Sequence, residues 1–152
     1  MNVFKGLLIA CMSLFFTGAR GQMTKDNSQW TFEAVKKGGN KYEIIAHLKL
    51  EKGWHVFSLK PGGDGSLISP SISFNKNPKV KLVGSLKEKG KLISEKVEGV
   101  QGTINMYDTK VDYTQAATVD GATVITGTYK YQICNDRMCL PPAEKTFTIT
   151  VK

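Results

Sequence analysis

The chain has 152 residues, 41% of them hydrophobic, and a formal net charge of +8. This length predicts one domain with a core of its own. The lysines are scattered, without arginine-rich runs or aromatic residues set between basic ones, so the charge argues against nucleic acid as a partner. Most of it is expected on solvated strand faces, and attraction to an anionic surface or an acidic partner is the minor alternative.

The first 21 residues are typical of an export signal. Lys5 supplies a positive start, and residues 6–16 form an apolar stretch that is too short to span a bilayer as a helix. Ala19 and Gly21 fit a small-residue cleavage site. We therefore predict a signal peptide at residues 1–21.

Residues 22–152 would then form a single exported domain, which we expect in the periplasm or otherwise outside the cytoplasm. A minor alternative is a lipoprotein anchored at Cys11, because residues 8–11 resemble a lipobox. Export favours an oxidising compartment, where disulfides persist.

Alternation of apolar and polar residues predicts strands along this domain. Apolar residues recur at every second position of 42–50, and a second long run ends at Cys134. Other strands are predicted at residues 30–34, 53–58, 70–74, 80–82 and 147–151, with two short ones within 86–97. No segment keeps helical spacing over three turns, and turn signals recur often. The pattern predicts an all-β chain, folded as an antiparallel β-sandwich.

Cys134 and Cys139 are the only cysteines of the predicted domain, with four residues between them. A disulfide that closes so small a loop stabilises a fold by roughly 2 kcal/mol. A structural clip is therefore one interpretation, and an exposed pair used for thiol–disulfide exchange is the other. Arg137 could favour a thiolate on either cysteine if it points inward, and the proline pair 141–142 stiffens the exit from the loop.

Other chemistries have weaker support. The cysteines with His47 or His55 could bind zinc or copper, but neither histidine has the short spacing of a ligand pair. No nucleophile-elbow motif points to a hydrolase. The glycine-rich segment 62–65 lacks the following helix and Lys-Ser/Thr of a phosphate loop.

Four segments resemble the N-terminal periplasmic domain of DsbD, the thiol:disulfide interchange protein. Residues 131–142 match its signature of two cysteines followed by a proline pair. Residues 53–57 resemble its glycine-aromatic strand, residues 70–74 fit a further strand, and residues 105–108 fall where the family has a cap loop. The resemblance spans most of the domain and implies an immunoglobulin-like fold with a redox-active disulfide.

The resemblance also implies residue roles. Cys134 would attack the partner and Cys139 would resolve the mixed disulfide. The cap loop would consist of Met106 and Tyr107, and the residues expected to line the site are His55, Phe57 and Arg137. No metal and no cofactor beyond the disulfide are expected.

By the same resemblance, the domain would relay electrons as a protein-disulfide reductase or its relay component. Its donor would be a membrane protein of the DsbD or CcdA type, and its acceptors periplasmic thioredoxin-like or disulfide isomerase proteins. The alternatives are an immunoglobulin-like binding or assembly module with a structural disulfide and, third, a metal-delivery protein.

Overall fold

The computed structural model describes residues 25–152, and all regular secondary structure in that range is β-strand. In chain order these are β1 (Ser28–Gly38), β2 (Lys41–Leu50), β3 (His55–Gly62), β4 (Ser71–Phe74), β5 (Val80–Gly90), β6 (Ile93–Glu95), β7 (Ile104–Tyr107), β8 (Lys110–Val119), β9 (Thr123–Tyr131), β10 (Ile133–Cys134) and β11 (Ala143–Val151). Neighbouring strands pair antiparallel throughout. The prediction of an all-β chain is confirmed.

The predicted signal peptide and the alternative anchor at Cys11 lie outside the described residues. Within the described part of the chain, no helix is long and apolar enough to cross a membrane.

The strands form three sheets whose inner faces enclose one main core. Sheet A has the order β1-β2-β8-β5, sheet B the order β10-β3-β7-β6, and sheet C the order β11-β9-β4. The core takes buried residues from each of them, for example Leu48 from sheet A, Val56 from sheet B and Ile149 from sheet C. Sheet A therefore forms one layer of a sandwich and sheets B and C form the other.

Strand β2 shows how the sequence pattern builds this core. Ile44, Ala46 and Leu48 are only 1–2% exposed, while His47 between them is partly exposed on the other face. Successive side chains of a strand point to opposite faces, so one alternating run supplies both a core face and a solvent face. Burying each large aliphatic side chain stabilises the fold by about 2 kcal/mol.

Aromatic rings join sheet A to sheet C. Trp30 of β1 packs against Tyr129 of β9 with ring centroids 4.9 Å apart, and Phe32 of β1 stacks on Phe147 of β11 at 4.4 Å. Such pairs add about 1 kcal/mol beyond their burial. This half of the sandwich is closed by large, interlocking side chains.

Segment 86–97 contains two strand pieces, as predicted, but the first of them is the end of a longer strand. Its first part continues β5, which begins at Val80 and has a register break between Val83 and Lys87, and its second part contains β6. The break lets one long strand follow the edge of sheet A, where sequence alternation suggested one strand at 80–82 and a separate one after residue 86.

Candidate functional site

The two cysteines form a disulfide at the edge of sheet B. The sulfur atoms of Cys134 and Cys139 are 1.97 Å apart and the Cα atoms 3.9 Å apart. Cys134 ends β10, and Cys139 pairs with it as an isolated antiparallel bridge. The disulfide therefore closes a small hairpin of its own.

Hydrogen bonds hold the turn of this hairpin. The Asn135 backbone N–H donates to the Met138 carbonyl oxygen at 2.9 Å. The Asn135 side-chain oxygen accepts the backbone N–H groups of Arg137 and Met138, each at 2.9 Å. Arg137 is exposed at this turn, so the condition that it points inward is not met.

The two sulfur-bearing residues differ in exposure. Cys134 is only 2% exposed, whereas Cys139 is an exposed residue. Next to them, Met138 is 49% exposed and Leu140 only 8%. A molecule that approaches from solvent therefore meets the Cys139 side of the disulfide.

The outer face of sheet B surrounds the buried sulfur. Cys134 pairs with His55, and Phe57 pairs with Met106, so these four residues share the face that points away from the main core. Phe57, Met106 and Cys134 form a small buried cluster together with Ile104. We call Phe57, Ile104, Met106 and Cys134 the disulfide cluster. The His55 ring packs edge-on against Phe57, with centroids 5.5 Å apart.

The prediction of a loop at residues 105–108 is wrong for its central pair. Met106 and Tyr107 belong to β7 and are 7% and 4% exposed. Only Met106 shares the face of Cys134, because Tyr107 pairs with Val56 and packs in the main core. β7 lies between β6 and β3, and β3 is far earlier in the chain, so this pairing leaves no local signal in a four-residue segment.

A carboxylate that the sequence did not single out fastens β3 to β5. Ser58, 2% exposed, donates its hydroxyl to Glu88 Oε1 at 2.5 Å, and the Leu59 backbone N–H donates to Glu88 Oε2 at 2.7 Å. Burial, together with the charge and the hydrogen bond of Glu88, raises the pKa of Tyr107 to about 12. These two hydrogen bonds hold β3, the strand that carries His55 and Phe57, against β5.

A groove of about 570 Å³ opens beside the disulfide cluster. Its lining includes His55, Met106 and three acidic residues, Glu95, Asp108 and Asp136. Burial lowers the pKa of His55, and the negative charges of Asp136, Glu95 and Asp108 only partly oppose this effect. His55 is therefore a neutral imidazole near neutral pH.

The other histidine lies elsewhere. On the outer face of sheet A, His47 Nδ1 is 2.7 Å from Asp112 Oδ1, and Nε2 is 3.0 Å from Glu33 Oε1. Burial opposes its charged form, but the hydrogen bonds and charges of Asp112 and Glu33 prevail and raise the pKa of His47. Within residues 25–152, no three His, Cys, Asp or Glu side chains are placed to hold a metal ion together.

The family model for the thiol:disulfide interchange protein DsbD, N-terminal, matches residues 20–151. The chain belongs to this family. The family resemblance drawn from the cysteine–diproline signature is thereby confirmed, and the N-terminal domain of this family is periplasmic. No curated protein matches the sequence.

Two solved structures share the fold. The N-terminal domain of DsbD from Neisseria meningitidis, in its reduced form, is 14% identical with a TM-score of 0.57 over 82% of this chain and 86% of that one. The N-terminal periplasmic domain of ScsB from Proteus mirabilis is 18% identical with a TM-score of 0.58 over 82% of this chain. The match covers only 46% of that ScsB chain. The prediction of an immunoglobulin-like sandwich is confirmed.

Proposed function

We propose that this chain is an exported thiol–disulfide exchange domain that relays electrons through Cys134 and Cys139. The observation that carries the proposal is the unequal exposure of the two cysteines within a family of interchange proteins. One sulfur is open to a partner, and the other is held next to it in a protected cluster.

The exposures favour the opposite assignment of roles from that expected on the resemblance. In our proposal Cys139 is the attacking thiol, because its residue is exposed and a partner disulfide must reach it in line. Cys134 is the resolving thiol, because it is 2% exposed and lies next to Cys139 in the hairpin.

The reaction then has two exchange steps. The Cys139 thiolate attacks one sulfur of the partner disulfide, that bond breaks, and one partner thiolate leaves. The Cys134 thiolate attacks the Cys139 sulfur, the mixed disulfide breaks, and the second partner thiolate leaves. The partner gains two electrons, and the domain regains its Cys134–Cys139 bond. A dithiol donor restores the reduced domain by the same steps in reverse.

The partners belong to the same proposal. We expect a membrane-bound donor of the DsbD or CcdA type to reduce the domain, and periplasmic thioredoxin-like or disulfide isomerase proteins to accept the electrons. The periplasmic character of the family supports this location for the chain. The acidic groove beside the disulfide lies within the surface that such partners would cover.

Single-cysteine variants test the proposal and the assignment of roles together. We expect C134S, which keeps the exposed thiol, to form mixed disulfides with oxidised glutathione at least about tenfold faster than C139S, since reactivity follows access. The reduction potential of the wild-type domain should lie above about −300 mV, in the range of exchange proteins.

The opposite outcomes have distinct meanings. Faster trapping by C139S would restore Cys134 as the attacking thiol. A potential well below about −300 mV, with neither variant forming mixed disulfides, would favour the binding-module alternative with a structural bridge.

A further inference from the structure

We propose that the His55 imidazole accepts the proton of the Cys134 thiol when that thiol resolves the mixed disulfide. This inference rests on the proposed exchange function and assigns a proton-transfer role within it. It concerns the second exchange step alone, because the exposed Cys139 can lose its proton to solvent.

The strand register places the two groups side by side. His55 begins β3, Cys134 ends β10, and they are directly paired across the two antiparallel strands. Side chains of directly opposed residues point to the same face with Cβ atoms about 5 Å apart. An imidazole at that distance reaches a neighbouring thiol directly or through one water molecule.

The surroundings of Cys134 create the need for a proton acceptor. Its neighbours in the disulfide cluster are Phe57, Ile104 and Met106, all of them apolar. Apolar surroundings disfavour a thiolate relative to the neutral thiol, yet the thiolate is the nucleophile. Since Cys134 is 2% exposed, water alone serves it poorly as a base.

His55 is suited to accept this proton. Its ring is held against Phe57 and also lines the open groove, which gives the proton a way out to solvent. Burial lowers the pKa of His55, so the imidazole is free to accept. The negative charges of Asp136, Glu95 and Asp108 favour the protonated ring, and the positively charged Lys52 also lines the groove.

Those carboxylates also stabilise the imidazolium once it has formed. In the step itself, the Cys134 S–H bond breaks and the proton passes to an imidazole nitrogen. The sulfur electron pair then forms the bond to Cys139, and the partner leaves as a thiolate. The imidazolium returns the proton to solvent or to that leaving sulfur, so protons and electrons balance.

A two-phase reaction with the aromatic disulfide DTNB isolates the step. When the reduced domain reacts with one equivalent, Cys139 releases the first coloured thiolate in a phase that depends on DTNB concentration. Cys134 releases the second in a phase that does not depend on it. We expect H55F, which keeps a ring against Phe57, to slow the second phase roughly tenfold or more at neutral pH and to leave the first unchanged.

The pH profile separates proton transfer from packing. In wild type, the second phase should keep most of its rate between about pH 8 and 6.5, where the imidazole is neutral. In H55F it should fall by about tenfold per pH unit, because only the spontaneously ionised thiol reacts. Free imidazole added to H55F should restore part of the rate, and H47Q, which changes the other histidine, should behave as wild type.

Each outcome has a distinct meaning. An unchanged second phase in H55F would overturn the role of His55 and leave the exchange function in place. Equal slowing of both phases without imidazole rescue, repeated in H55Q, would show a packing effect and also overturn it. A wild-type domain that releases no second thiolate would sink the proposed exchange function itself.

Discussion

The main core and the disulfide cluster differ in how fully they are shielded from solvent. The main core draws on all three sheets and is sealed by stacked aromatic rings such as the Phe32–Phe147 pair. The disulfide cluster lies on the outer face of sheet B, with a groove beside it and an exposed sulfur-bearing residue at its edge. The comparison separates the region that supplies most of the buried packing from the region that the proposed exchange reaction would use.

Truncation of a core side chain should break stability without touching the sulfur chemistry. Leu48 is 1% exposed, so Leu48→Ala should lower the free energy of unfolding by about 3 kcal/mol through lost burial and a cavity. Urea titration measures the loss. The rate of disulfide reduction by dithiothreitol should stay within about twofold of wild type, because Leu48 belongs to the main core. A much larger change in that rate would show that the two regions are coupled.

Truncation within the disulfide cluster should affect both properties. Met106 is 7% exposed in the same cluster as Cys134, so Met106→Ala should cost about 2 kcal/mol in urea titration. It should also speed reduction by dithiothreitol, since the thioether no longer covers its side of the cluster. Ile104→Ala is the matched control from the same strand. Equal acceleration in both variants would mean that general loosening, and not lost cover, exposes the sulfur.

The two histidines should give opposite pH dependences of stability. The pKa of His55 lies below its ordinary value of 6.5 because of burial. As pH falls below about 6.5 the unfolded chain therefore binds protons more readily, and stability is lost. We expect H55F to lose less stability than wild type between about pH 7.5 and 5 in thermal unfolding. Equal losses would show that His55 is not held neutral in the folded protein.

The smallest effect is expected at His47. Hydrogen bonds and charges from Asp112 and Glu33 raise the pKa of His47 despite burial, so its contribution is present below about pH 6.5 and fades as pH rises through the folded pKa. For a partly exposed group in ion pairs at the surface we expect about 0.5 kcal/mol. H47Q should therefore be less stable than wild type near pH 6, and the two should converge by about pH 9. A difference that does not depend on pH would exclude the ion pairs as its source.

Much of the fold could be predicted because its longest strands carry their own signal. In β2 and β11 the alternation is local, and it marks Leu48 and Ile149 as core positions. The prediction for segment 105–108 was wrong because its four residues contain only one apolar pair. β7 forms a strand because it pairs with β3 and β6. Backbone pairing between distant segments is set by the whole sheet and not by the residues of one segment.

The site was predictable in composition and not in arrangement. The family signature pointed to both cysteines and to His55, Phe57 and Met106. The structure brings Cys134 and the last three onto one face of sheet B, with Cys139 bridged to Cys134 at its edge. Which cysteine is buried depends on how the hairpin lies on β3, and spacing carries no information on that. The Ser58–Glu88 hydrogen bond also joins segments far apart in the sequence, so no local motif predicted it.

The ends of sheet B have a consequence for how other chains can engage it. One outer strand, β6, has three residues, and the other, β10, has two. The hairpin folds back on β10, where the Leu140 backbone N–H donates to the Ile133 carbonyl oxygen, and Pro141 and Pro142 then offer no N–H at all. At these two edges of sheet B a further strand therefore finds little free backbone to pair with, which disfavours edge-to-edge aggregation through this sheet. We therefore expect a partner in the proposed exchange reaction to contact sheet B through side chains and the disulfide.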